Sequence, residues 1–145
     1  MPEQPVIMIT DTMPMHKIAD FISKGYEKLD PYLKKLGALT VDIPFIAYYG
    51  WKKMYTEDIK VSTAYPTSQI LPGEGDIKSA VFPRQKFIVC YYRGGYQEMG
   101  SVYTAMEDWA RDNHIELTSD CFEFYYNGEE YDESDFLTKV YFPVK

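Results

Sequence analysis

The chain has 145 residues, with 15 Lys and Arg against 22 Asp and Glu and a formal charge of −7, a size at which one domain can bury a core without disulfides. The basic residues are scattered rather than banked on one face, which disfavours nucleic-acid binding. The apolar runs are short and the opening MPEQPVIMITD has neither the basic n-region nor the longer apolar h-region of a signal peptide, so no membrane span or signal peptide is expected and a cytoplasmic location is the default.

In chain order, residues 6–10 form a short apolar run of strand length, followed by a turn-like DTMPM. Ile18, Phe21, Ile22, Tyr26, Leu29, Leu33 and Leu36 then recur at steps of three and four, which predicts one apolar face of a helix closed by Gly37 as its C-cap. Pro31 falls inside this helix, and a kink or break near Asp30 is expected from its missing N–H. TVDIPFIAYY and IKVSTAYP read as two strands, with Trp51 and Lys52 in the loop between them. Residues 67–79 join the two halves as a loop carrying Pro72, Gly73 and Gly75. QKFIVCYYR predicts a strand, GGY a turn, and Met99, Val102, Tyr103, Met106 and Ala110 the stripe of a second helix ending near Asn113. CFEFYY and FLTKVYFP supply two final strands. Cys90 and Cys121 lie in strand-like apolar runs and read as reduced core thiols.

The halves are copies. An offset of 143 − 66 = 77 residues carries Tyr26 onto Tyr103, Phe45 onto Phe122, Tyr48 and Tyr49 onto Tyr125 and Tyr126, Asp58 onto Asp135 and Pro66 onto Pro143, with no gap from residue 22 to residue 66. The expected fold is therefore α+β: tandem β-α-β-β units, about 1–66 and 80–145, forming a single domain with one antiparallel sheet, two main helices and a central cavity. Neither half could cover its own sheet face well alone.

One position breaks the symmetry chemically, because Ile46 in the first copy becomes Glu123 in the second. Strand alternation points Glu123 and Tyr125 to one face and Phe122 and Phe124 to the other. If the strands carrying Tyr48 and Glu123 are neighbours, Tyr48 and Tyr125 flank one carboxylate. A buried carboxylate must find donors, take up a proton or await a cation, so an aromatic cavity around Glu123 suits hydrophobic cations. The competing reading is a structural carboxylate satisfied by tyrosine hydroxyls or Arg93. Trp109, Tyr91 and Trp51 are further candidates for lining the cavity, with core packing the alternative, whereas Tyr26 and Tyr103 read as core.

The Pro83-led strand ending in Arg93-Gly94-Gly95-Tyr96, the Glu123-Phe124-Tyr125 triplet and the terminal strand at 138–143 together resemble the GyrI-like small-molecule-binding domain, a family that includes effector-binding domains of AraC-type and MerR-type multidrug regulators. The resemblance implies an aromatic-lined cavity at the junction of the repeats, holding the glutamate of the triplet, with no cofactor. It also implies an alternative, since some similar proteins hydrolyse electrophilic cyclopropane-containing natural products. Glu123 would then be the general base and Tyr125 or Tyr48 the proton donor. A third reading is a protein-interaction module acting through the acidic residues of loop 129–135, such as a gyrase modulator. His16 and His114 are the only histidines and no CxxC is present, so a transition-metal site is not expected.

Overall fold

The computed structural model describes residues 3–40, 42–53, 56–95, 100–126, 134 and 136–145. The acidic loop 129–135 lies outside this set but for Ser134, as do Tyr96 and Met99. In order, the elements are β1 (Gln4–Met13), α1 (Ile18–Leu36), β2 (Phe45–Tyr49), β3 (Ile59–Pro66), β4 (Lys78–Phe82), β5 (Phe87–Arg93), α2 (Gly100–Asp112), β6 (Asp120–Tyr125) and β7 (Leu137–Pro143), with 3-10 turns at Met15–Lys17 and Trp51–Lys53. The strands form one antiparallel seven-stranded sheet in the order β4-β1-β3-β2-β6-β7-β5.

The repeats meet where β2 pairs with β6, and Ile46 lies directly opposite Glu123. These two are also equivalent under the 77-residue offset, so the pseudo-twofold axis passes through this pair. The flanking pairs obey the same symmetry: Phe45 faces Phe124 and Ala47 faces Phe122. The outer strands follow, with β1-β3-β2 mirrored by β5-β7-β6. Val6 faces Pro66 and Phe87 faces Pro143, so β1 maps onto β5 by 87 − 6 = 81, and the second copy has four fewer residues between its first strand and its helix.

Two outcomes differ from the sequence reading. Residues 78–82, expected in or just beyond the inter-repeat loop, form β4 on the outer edge of β1, where ladder pairing replaces turn chemistry. The expected turn after residue 10 is instead strand, because Asp11, Thr12 and Met13 remain paired with Val61, Lys60 and Ile59.

Pro31 does not break α1, which runs from Ile18 to Leu36. Its intrinsic cost of about 3 kcal/mol is opposed by burial on both sides, at Leu29, Tyr32 and Leu33, and by the Tyr32 hydroxyl donating to Pro72 O at 2.6 Å. The helices end alike. Gly37 (φ 62°) and its equivalent His114 (φ 57°) are both left-handed, and Ala38 and Ile115 donate back to Leu33 and Ala110 at 3.1 and 2.8 Å.

Both helices cover one sheet face, packing on Ile7, Ile9, Ile46, Tyr48, Cys121 and Val140. Gly25 permits the closest approach, since a Cβ there would stand 2.5 Å from Thr63 Oγ1. The opposite face gathers Val6, Phe45, Ala47, Ala64, Phe122 and Phe124. A flat sheet would hold β4 and β5 roughly 29 Å apart, yet residues 83–86 join them, and the five steps from Phe82 to Phe87 reach at most about 18 Å. The sheet therefore curls until Phe82 and Phe87 both meet Phe122, with ring centroids 5.4 and 5.8 Å away.

Candidate functional site

The register that places Ile46 opposite Glu123 also fixes their direction: both face the helices, as alternation along β2 and β6 requires. Glu123 is 5% exposed. Its carboxylate receives two hydroxyl donors, Tyr103 from α2 onto Oε1 at 2.8 Å and Tyr125 onto Oε2 at 3.3 Å. Tyr48, from the other repeat, hydrogen-bonds with Tyr125 in turn. Cys121 Sγ lies 3.8 Å from the Tyr103 hydroxyl.

Electrostatics follow from this enclosure. Burial pushes the Glu123 carboxyl up from 4.5 to about 7, and the two tyrosine donors only moderate that rise. No Lys or Arg ion pair to Glu123 occurs among the described residues. Burial, with Glu123 as the next cause, raises the Tyr48, Tyr103 and Tyr125 hydroxyls above their ordinary range. All three remain proton donors at any physiological pH.

Trp51 closes one side. It stacks on the Tyr103 ring with centroids 4.9 Å apart and planes at 24°, and its backbone N–H donates to Ser119 O at 2.9 Å. The turn is held further by Gly50 N–H to Asp120 Oδ1 at 3.1 Å and by Lys52 with Glu107 at 3.7 Å. Trp51 Nε1, Thr63 Oγ1 and Thr138 Oγ1 are buried with no hydrogen-bond partner. Thr63 pairs with Ile46 and Thr138 with Tyr125, so both lie on the Glu123 face, beside the carboxylate's own strand neighbours.

Of the residues singled out in the sequence, Glu123, Tyr125, Tyr48, Ile46 and Trp51 come together in this apolar cluster. Trp109 is 47% exposed on α2 and Tyr91 is 62% exposed on β5. Neither belongs to the cluster. Alternation explains Tyr91, which shares its face with Phe87 on the reverse side of the sheet, whereas Ile88, Cys90 and Tyr92 face Glu123.

The sequence reading placed Tyr103 in the core with its equivalent Tyr26. The structure separates them. Tyr26 donates to the carbonyls of Phe45 and Ala64 at 3.0 and 3.5 Å, because Ile46 offers no acceptor; Tyr103 finds Glu123 instead. The signal was a single substitution: both helices keep a tyrosine, and only the second copy places an acid at the axis position for it to meet.

The reverse face carries an open groove of about 380 Å³, solvent at its mouth included, lined by Gln4, Asp42, Phe45, Pro66, Phe82, Phe122, Phe124 and Tyr141. Among the described residues no cluster of His, Cys, Asp and Glu could hold a metal. No helix among them is long and apolar enough to cross a membrane.

Two β-α-β-β units joined across one antiparallel sheet, with both helices on one face, define the architecture as a duplicated α+β domain. The chain belongs to the GyrI-like small molecule binding domain family, whose model matches residues 1–145. Among solved structures, EcmrR in its complex with DNA matches at TM-score 0.83 and 21% identity, over 100% of this chain and 55% of that one. The chain thus spans about half of that regulator's length. SAV2435 bound to tetraphenylphosphonium matches at TM-score 0.70 and 12% identity, over 100% of this chain and 90% of that one. A hydrolase encoded by lin2189 of Listeria innocua matches at TM-score 0.69 and 10% identity, covering 99% and 88%. These likenesses establish the fold. A search of curated protein sequences returned no match.

Proposed function

We propose that this domain binds hydrophobic cations at Glu123, for sensing or sequestration. The observation that carries the reading is a carboxylate 5% exposed, hydrogen-bonded by two tyrosines and without a cationic partner among the described residues. Leaving it ionised is costly, and a bound cation removes that cost. At about 4 Å and an effective dielectric near 20 the attraction is roughly 4 kcal/mol, and each ring face in contact adds about 0.5–2 kcal/mol. Tyr48, Tyr125, Trp51 and Ile46 supply the apolar walls. Trp51 and Tyr103, stacked in this structure, part for a ligand to reach the carboxylate. The tetraphenylphosphonium complex of a protein with this fold supports the ligand class.

The test is a Trp-fluorescence titration with tetraphenylphosphonium and neutral tetraphenylmethane-like isosteres, on the native protein and on Glu123→Gln. Saturable binding of the cation alone, weakened at least tenfold by the substitution, is expected. Equal binding to Glu123→Gln would remove the charge from the argument.

A second reading rests on the same carboxyl. A group held near 7 is suited to general-base work at neutral pH. As a hydrolase of electrophilic cyclopropanes, Glu123 would take a proton from water as the oxygen adds to the strained carbon. The carbon–carbon bond breaks toward a conjugated acceptor, which Tyr125 protonates. Mass spectrometry of such a compound after incubation decides it: addition of one water by the native protein and not by Glu123→Gln.

A further inference from the structure

The three buried polar atoms without a hydrogen-bond partner, Thr63 Oγ1, Thr138 Oγ1 and Trp51 Nε1, gather on the Glu123 face of the sheet. Folded proteins satisfy nearly all such groups, so each needs a cause. Thr63 has one in packing, since α1 crosses it at Gly25, where a Cβ would stand 2.5 Å from Oγ1. The other two flank the carboxylate.

Thr138 is fully buried, paired with Tyr125 on β6 and with Tyr92 on β5. Both neighbours have their hydroxyl protons committed, Tyr125 to Glu123 Oε2 at 3.3 Å and Tyr92 to Gly95 O at 2.9 Å. Packing does not require the Thr138 hydroxyl, because the 77-residue offset carries Val61 onto Thr138 and Val61 is equally buried. The copy with the acid has a hydroxyl where the other has a methyl. Trp51 lies toward the other end of β7, its ring meeting that of Phe142 edge-on at 6.3 Å. Glu123 pairs with Val140, midway between Thr138 and Phe142, so the two unpaired groups stand on either side of the carboxylate along the strand. An indole N–H only donates, and a threonine hydroxyl can donate. The group that completes both is an acceptor.

We propose that the preferred ligands of this site are hydrophobic cations carrying an acceptor oxygen on each side of the charge, selected by Trp51 and Thr138. This rests on the cation reading of Glu123 given above. The cation meets the carboxylate, one oxygen accepts from Trp51 Nε1–H and the other from the Thr138 hydroxyl. A cation without oxygens leaves both donors unpaired and gains nothing from them. Charge admits a ligand, and the flanking donors rank it.

The test is calorimetry with four compounds that cross charge with acceptor: bis(para-acetylphenyl)dimethylphosphonium, its para-isopropenyl isostere, and the two matching neutral silanes. The native protein binds the acetyl phosphonium at least tenfold more tightly than the isopropenyl one, and each phosphonium at least tenfold more tightly than its silane. Trp51→Phe keeps a ring against Tyr103, and Thr138→Val copies Val61. Each cuts the acetyl preference at least about threefold and leaves affinity for the isopropenyl phosphonium within about twofold. Glu123→Gln does the reverse, removing the preference for phosphonium over silane and keeping that for acetyl. Thr138→Val melts no lower than the native protein, as removal of an unpaired buried hydroxyl requires.

The inference fails, with the cation reading intact, if the two phosphoniums bind the native protein alike or if either variant leaves their ratio unchanged. It also fails if Thr138→Val melts lower, which would mean that the hydroxyl is bonded within the protein. Equal binding of phosphonium and silane, or no binding by any of the four, overturns the cation reading and this inference with it.

Discussion

Glu123→Gln tests the central electrostatic claim without any ligand. The folded carboxyl holds its proton to about 7, against 4.5 for the ordinary value. Between those two values unfolding releases a proton, so stability contributed by the protonated group is fully present below 4.5 and is lost as pH rises through about 7. At 1.36 kcal/mol per pH unit the loss is roughly 3 kcal/mol, or about 6–12 °C in Tm for a domain of this size. Glutamine cannot ionise and keeps an acceptor for Tyr103 and Tyr125. Whatever fixed cost its amide adds is the same at every pH. Thermal melts of both proteins from pH 4.5 to 8 should therefore show the variant gaining on the native protein by roughly 3 kcal/mol, with the change complete above about pH 7. A constant difference across that range would refute the reasoning, because it would mean that the carboxyl ionises in the folded state as easily as in the unfolded one.

Tyr103→Phe removes the 2.8 Å donor to Glu123; the carboxyl midpoint moves further up, visible by NMR titration of its side-chain carbon, and the variant loses about 1.5–3 kcal/mol at pH 8 but less at pH 5. His114→Gly relieves a left-handed side chain at φ 57° and raises stability by about 0.5–1 kcal/mol in urea unfolding. Gly25→Ala forces a Cβ within 2.5 Å of Thr63 Oγ1 and costs about 1–3 kcal/mol, most of it recovered when Thr63→Ala is added. Trp109→Ala, exposed on α2, leaves tetraphenylphosphonium affinity within about twofold, whereas Trp51→Ala weakens it at least tenfold, read by calorimetry.

The axis of the fold was legible in the sequence because a strand's two-residue period is rigid. Once residues 121–125 are extended, Glu123 and Tyr125 must share a face, and the offset supplies Ile46 and Tyr48 as their partners. Tyr91 obeyed the same rule, but its parity could not be set until the pairing of β5 with β7 was known. Trp109 lies one position from Ala110 at the edge of the helical stripe, and a helix turned by 100° per residue makes one step decisive. β4 was hidden because Lys78 to Phe82 follows a glycine- and proline-rich turn. Its strand character comes from β1, which offers an edge, rather than from its own composition. Pro31 shows the same precedence of tertiary contact over local preference.

Ile46 and Glu123 occupy the one place where the two repeats look straight at each other. In an unfused dimer of identical units, any residue there would meet its own duplicate. An acid would confront an acid, and the two would have to share a proton; an isoleucine would confront an isoleucine and leave nothing to attract a charge. Joining the units in one chain frees each side of the axis to carry a different residue. A single negative charge, centred between two similar walls of rings, is a composition that strict symmetry forbids and that covalent linkage makes available.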